Sequence, residues 1–92
     1  MVIMIVERVS ATLRGDLSRW MIEPRAGIFL GSMTARIRDE LWKKAVAGGK
    51  SGSCFQAWQS PTEQGFDFRT FGDHSREMVD LEALHLVLIR KQ

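Results

Sequence analysis

Few side chains in this 92-residue sequence stand where chemistry is done, and Glu7 is the most suggestive of them. It follows the apolar run Val2–Val6 directly. A carboxylate at the end of a buried strand is held on rigid backbone, the position from which metal-dependent phosphodiesterases present ligands. One carboxylate is not a site. A symmetric partner could bring a second Glu7 around one ion, Mg2+ or another divalent cation, but Arg8 beside it supplies a competing charge. The alternative is a salt-bridged or solvated strand end. His74 and Glu77 share a polar stretch that could chelate a metal weakly, but it reads as a solvated loop before a metal site. His85 alternates with Leu84 and Leu86, as a packed strand histidine does. Cys54 lies in a strand pattern, and no G-x-S-x-G or comparable context supports a nucleophile. The glycines have neither G-x-G-x-x-G spacing nor a Walker lysine, so they do not cradle a phosphate.

Arginine is the other residue type placed for binding. Arg14, Arg19, Arg36 and Arg38 fall on helical patterns and Arg76 in a polar loop. Phosphate contacts need charge at intervals rather than a code, so these arginines suit a nucleic-acid backbone, or they simply keep helical surfaces soluble. The net charge is only +2, too small to diagnose a polyanion partner. Its distribution says more: residues 1–50 hold nine basic and five acidic side chains, residues 51–92 four and six. Trp20, Trp42 and Trp58 stand at or near apolar positions and read as core before base-stacking platforms.

The elements that must carry these residues follow from periodicity. Val2–Val6 reads as a central strand buried on both faces. A helix starts at Ser10, a suitable N-cap, with Leu13, Leu17, Trp20 and Met21 on one face and Pro24 ending it. Residues 26–30 form a short strand bent at Gly27. Ser32 or Thr34 caps a second helix, with Ile37, Leu41 and Ala45 on its apolar face, Trp42 beside them, and Gly48-Gly49 at its end. Its pairs Asp39 with Lys43 and Glu40 with Lys44 have the favourable i, i+4 orientation. Cys54–Gln59 and residues 66–70 are strands joined by the breaker-rich turn 60–65, with Phe66 and Phe68 on one face and Asp67 and Arg69 on the other. Leu84–Ile89 is a last, doubly apolar strand. The order βαβαβββ places two helices over one face of a four- to five-stranded sheet. The helix-free face would then expose a large apolar patch, which a twofold dimer would bury. Pattern alone leaves a ferredoxin-like and a small doubly wound sheet both open.

Composition closes off other classes. With 45% hydrophobic and 26% charged residues, the chain is an ordinary globular one, expected as a single domain over 1–92. One cysteine excludes a disulfide scaffold and a Cys-rich zinc site, and favours a reducing compartment. Residues 1–6 lack the features of a signal peptide, and no stretch approaches the ~20 apolar residues of a membrane span. A cytoplasmic, soluble protein is expected.

Taken as a whole, the string resembles a known family. Glu7 closes an apolar strand, Leu13-Arg14-Gly15 opens a helix, and Glu23 precedes Arg25-Ala26-Gly27-Ile28-Phe29-Leu30-Gly31. There follow Ala35-Arg36-Ile37-Arg38 with Trp42, Ala57-Trp58, Thr62-Glu63, Gly65-Phe66-Asp67-Phe68 with Thr70-Phe71-Gly72, and Val79-Asp80-Leu81. Together these resemble the small CRISPR adaptation protein Cas-two, in the branch that accompanies Cascade-type (type I-E) systems.

The resemblance implies a ferredoxin-like protomer and a homodimer in which the C-terminal strand, residues 84–92, pairs with the partner's sheet. It also implies assembly between dimers of the Cas-one integrase, whose subunits insert new spacers while the Cas-two dimer holds the prespacer duplex. Some relatives are metal-dependent endoribonucleases or DNases, with an acidic residue at the end of the first strand, here Glu7, as metal ligand. Arg14 and Arg76 match DNA-contacting arginines of the family. Thr12 and Ser75 replace further arginines, which thins the basic track. Glu7 replaces the usual Asp and is followed by Arg8. Three expectations result: a structural DNA-binding subunit, a metal-dependent endonuclease centred on paired Glu7, or a plain ferredoxin-like interaction module.

Overall fold

The run Val2–Val6 forms strand β1 at the centre of a five-stranded sheet. Its buried residues divide between the two faces. Val2, Met4 and Val6 join the core beneath the helices, and Ile3 joins a second core on the opposite side. This division is what an apolar strand covered on both sides requires. The structure, a computed structural model, describes residues 1–72; Leu84–Ile89, the segment 84–92, and His74, Arg76, Glu77 and His85 lie outside the described residues.

Helix α1 spans Ala11–Ser18 and is followed by β2 (Met21–Arg25), β3 (Ile28–Gly31), α2 (Ala35–Val46), β4 (Cys54–Gln59) and β5 (Phe66–Phe71). A single 3-10 turn, Ala47–Gly49, extends α2. The sheet order is β2-β3-β1-β4-β5 and every neighbouring pair is antiparallel. Leu13 and Leu17 of α1 pack with Leu41 and Ala45 of α2 in the same core, so both helices cover one face. The fold is α+β and ferredoxin-like, and the antiparallel pairing excludes the doubly wound alternative.

The main departure from the expected elements is β2. The helical pattern was expected to run through Trp20 and Met21, but α1 ends at Ser18. Trp20 N–H closes a tight turn on Leu17 O at 3.0 Å, and Met21 pairs with Gly31 as a strand residue. Pro24 sits inside β2 because this is an edge strand, where a missing N–H costs no ladder bond. The ladder shifts register between Ile22 and Arg25. Gly27 turns the β2–β3 hairpin at φ 82°, and an added Cβ would lie 2.7 Å from Val6 O. The bend expected at this glycine is therefore the hairpin turn itself.

Both helix starts follow side-chain caps. Ser10 Oγ accepts from Leu13 N–H at 3.1 Å and Thr34 Oγ1 from Ile37 N–H at 3.3 Å. On the helix-free face, Ile3, Phe55 and Ala57 are 0% exposed, and Met1, Ile5 and Leu30 pack around them. The Phe55 and Phe68 rings stack at 5.9 Å. The large bare patch expected there is thus reduced: the middle of the face is closed, and Phe68 and the edge residue Ile22 remain exposed.

Candidate nucleic-acid interface

Arg14 stands in the first turn of α1, facing the β2–β3 hairpin. Its Nε donates to Glu23 Oε1 at 2.8 Å and its NH2 to Oε2 at 3.1 Å. Glu23 also accepts the Gly27 N–H at 2.9 Å, so helix, strand and turn meet at one carboxylate. The hydrogen bonds from Arg14, then that of the Gly27 amide, hold the Glu23 carboxyl below the usual carboxylate range, and Glu23 in turn raises the Arg14 guanidinium. A guanidinium has five N–H donors, of which this pair uses two. With its side chain 46% exposed, Arg14 keeps donors for an outside anion.

The other expected arginines separate into two kinds. Arg19, the C-cap of α1, is exposed, and Arg36 in the first turn of α2 is exposed with Glu40 3.7 Å away, a loose pair. Arg38 is different: its side chain is mostly buried, and its guanidinium lies 3.8 Å from the Trp58 ring centroid. It also donates to Asp39 Oδ1 at 3.2 Å.

Arg38 belongs to a cluster that the sequence reading missed. Gln56 is wholly buried in β4, its Nε2 donating to Arg38 O at 3.1 Å and its Oε1 accepting from Arg69 Nε at 2.8 Å and NH2 at 2.6 Å. Arg69 NH2 also reaches Asp39 Oδ1 at 2.8 Å, and the Arg69 guanidinium lies 5.2 Å from both Trp42 and Trp58. Arg69, then Arg38, draws the Asp39 carboxyl below its ordinary range. The signal that could have exposed this cluster was a glutamine inside the apolar run from Cys54 to Trp58. The expected helical pairs are replaced accordingly. Asp39 bonds to Arg38 and Arg69 rather than Lys43, Glu40 approaches Arg36, and Lys44 approaches Asp16 of α1 at 3.6 Å.

Trp20 is 44% exposed in the turn after α1 and is not core, whereas Trp42 and Trp58 pack against the helix-side core. Cys54 is buried, its thiol directed at the carbonyls of Ala45 and Gly52 at 3.7 Å, which suits packing rather than attack.

Glu7 is held by the β1 end and the approach to β4. Its Oε1 accepts Ser53 N–H at 2.9 Å, and Arg8 NH1 lies 3.6 Å from Oε2. Gly52, at φ 70°, leaves the space that this carboxylate fills. A divalent cation here would sit beside a guanidinium, and among the described residues no group of three or more His, Cys, Asp or Glu gathers to help hold it. Among the described residues of one chain, Glu7 therefore has a guanidinium beside it and no clustered ligands to complete a metal site.

A family model described as CRISPR-associated protein (Cas_Cas2CT1978) matches residues 1–86. The chain belongs to this CRISPR-associated Cas-two family. Its role is accordingly CRISPR-associated. In this Cas-two chain the matched span includes the Arg14–Glu23 pair, the Gly27 turn, Glu7 and the Gln56 cluster. No helix among the described residues is long and apolar enough to cross a membrane.

Proposed function

We propose that this Cas-two protein, of the type I-E branch, is the structural DNA-binding subunit of a spacer-integration complex. Two copies form a homodimer that bridges Cas-one integrase dimers and holds the prespacer duplex in the cytoplasm. The observation that carries this function is Arg14, whose guanidinium is anchored at two points by Glu23 while its side chain stays nearly half exposed. An anchored, partly solvated guanidinium meets a phosphate with little further loss of side-chain freedom. Exposed Arg19 and Arg36 extend the same helical layer. Such contacts position a duplex without reading its sequence. The chemistry of insertion then lies in the integrase, in keeping with the poor fit of Glu7 to a metal ion.

Reconstitution with the integrase and a prespacer duplex tests this. Arg14→Ala is expected to weaken duplex binding similarly for unrelated sequences, and Glu7→Ala to leave insertion intact. Loss of insertion in a folded, integrase-bound Glu7→Ala protein, together with Mg2+-dependent cutting by the native chain, would establish the endonuclease instead.

A further inference from the structure

At the end of β1 a cavity of about 370 Å³ opens between the start of α1 and the end of α2, within the ~300–1,000 Å³ range of ligand pockets. Arg8, Lys44 and Lys50 line it, together with Ser10, Leu13 and Ser51. We propose that this cavity is an oxyanion pocket that holds one phosphate group.

Three cations around one concavity raise its potential, because low-dielectric walls focus the field. Their existing partners are weak. Arg8 has Glu7 at 3.6 Å and the Lys50 carbonyl at 3.4 Å, and Lys44 has Asp16 at 3.6 Å. The Lys50 ammonium has no ion pair among the described residues. Ala47 brings the end of α2 to the rim, and its carbonyls oppose an anion, but that partial charge is about half a unit and fades within a turn. Even with Glu7 and Asp16 set against Arg8 and Lys44, the full charge of Lys50 outweighs it.

A second observation is independent of charge. Ser51 is only 8% exposed, and its hydroxyl makes no hydrogen bond with the described residues, although its backbone carbonyl accepts Arg8 N–H at 2.9 Å. A buried hydroxyl without a partner is costly and points to a ligand or water in the cavity it lines. Ser10 Oγ uses a lone pair on Leu13 N–H, which leaves its proton to donate. The donor set of two hydroxyls, a guanidinium and two ammonium groups, without a carboxylate in the lining, matches a phosphate oxyanion.

The phosphate could be a backbone group of a bound duplex or a terminal or free phosphate. Only the first source rests on the proposed DNA binding. The test is a titration of the full-length chain with inorganic phosphate at constant ionic strength, followed by amide NMR. Saturable shifts centred on Ser10, Lys50 and Ser51 are expected, with about tenfold weaker binding in Lys50→Gln, the scale of one charge-assisted contact. Ser51→Ala is expected to weaken it as well, with the fold checked by circular dichroism. Absence of saturation, or equal affinity in Lys50→Gln and the native chain, overturns the pocket. Duplex binding against salt is measured in parallel. A slope flattened by ~0.9 per site in Lys50→Gln assigns a backbone phosphate, and an unchanged slope with lost phosphate binding assigns a terminal or free one. Phosphate saturation in a chain that binds no duplex leaves the pocket standing while refuting the DNA-binding function.

Discussion

Arg14 and Glu23, nine residues apart, form a two-point ion pair at 2.8 and 3.1 Å that fastens the first helix to the β2–β3 hairpin. Its consequence is an arginine presented from a fixed base. Arg14→Ala should flatten the log–log salt dependence of duplex affinity by ~0.9 per lost phosphate contact, and by up to ~2 in a dimer. The check is affinity against salt for two unrelated duplexes of equal length. A loss confined to one duplex would mean base reading, and an unchanged slope would make Arg14 an ordinary surface charge.

The same pair carries a pH dependence. Arg14 and the Gly27 amide lower the folded-state pKa of Glu23, so the unfolded chain binds its proton more readily. The stabilisation is therefore complete above the ordinary glutamate value of about 4.3 and fades as pH falls through the lower folded value. The Tm difference between the native chain and Glu23→Gln should be constant at neutral pH and shrink on acidification below that point. A difference that grows with acid would contradict the assignment.

Glu7→Ala removes an acceptor from the exposed Ser53 N–H and a loose neighbour from Arg8. The expected cost in stability is about 0.5–1.5 kcal/mol by urea unfolding, with spacer insertion by the reconstituted complex retained.

Gln56 is the buried junction of its cluster, so the two partners should couple. Gln56→Ala removes a side-chain donor from the Arg38 carbonyl and one of the two side-chain acceptors of the Arg69 guanidinium, leaving it Asp39, at a cost of about 1–3 kcal/mol. Arg69→Met alone should also destabilise, while the double variant Gln56→Leu with Arg69→Met should lose less than the two single changes added together. Denaturant midpoints of the four proteins measure this coupling, and strict additivity would show that the contacts are independent.

Gly27→Ala places a Cβ against Val6 O at a φ of 82°, where only glycine is comfortable. A loss of about 1 kcal/mol or more is expected, larger than for Ala at Gly15, whose added Cβ meets nothing within 4 Å. Thermal unfolding of the two variants makes the comparison.

Local physics determined much of this protein in the sequence alone. The β-branched run Val2–Val6, the caps Ser10 and Thr34, and the four-residue repeat Ile37, Leu41, Ala45 act over a few residues, and the first strand, the second helix and the start of the first helix form as the pattern implies. The bounds of β4 and the alternation of Phe66 and Phe68 were legible for the same reason. Arg14 was legible as a candidate because a residue in a helix's first turn is located by the cap before it.

What only the tertiary structure decided involves partners far apart in the chain. Met21 continues a helical period, yet pairing with Gly31 makes it a strand residue, because ladder bonds across a hairpin override a weak local preference. Asp39 has a good helical partner in Lys43, but Arg69, thirty residues away, offers a guanidinium that also satisfies buried Gln56. Arg8, Lys44, Lys50 and Ser51 gather at one cavity only when the end of β1 meets the end of α2. Periodicity assigns a side chain to a face of its own element; which other side chain stands opposite depends on how the sheet and helices close on one another.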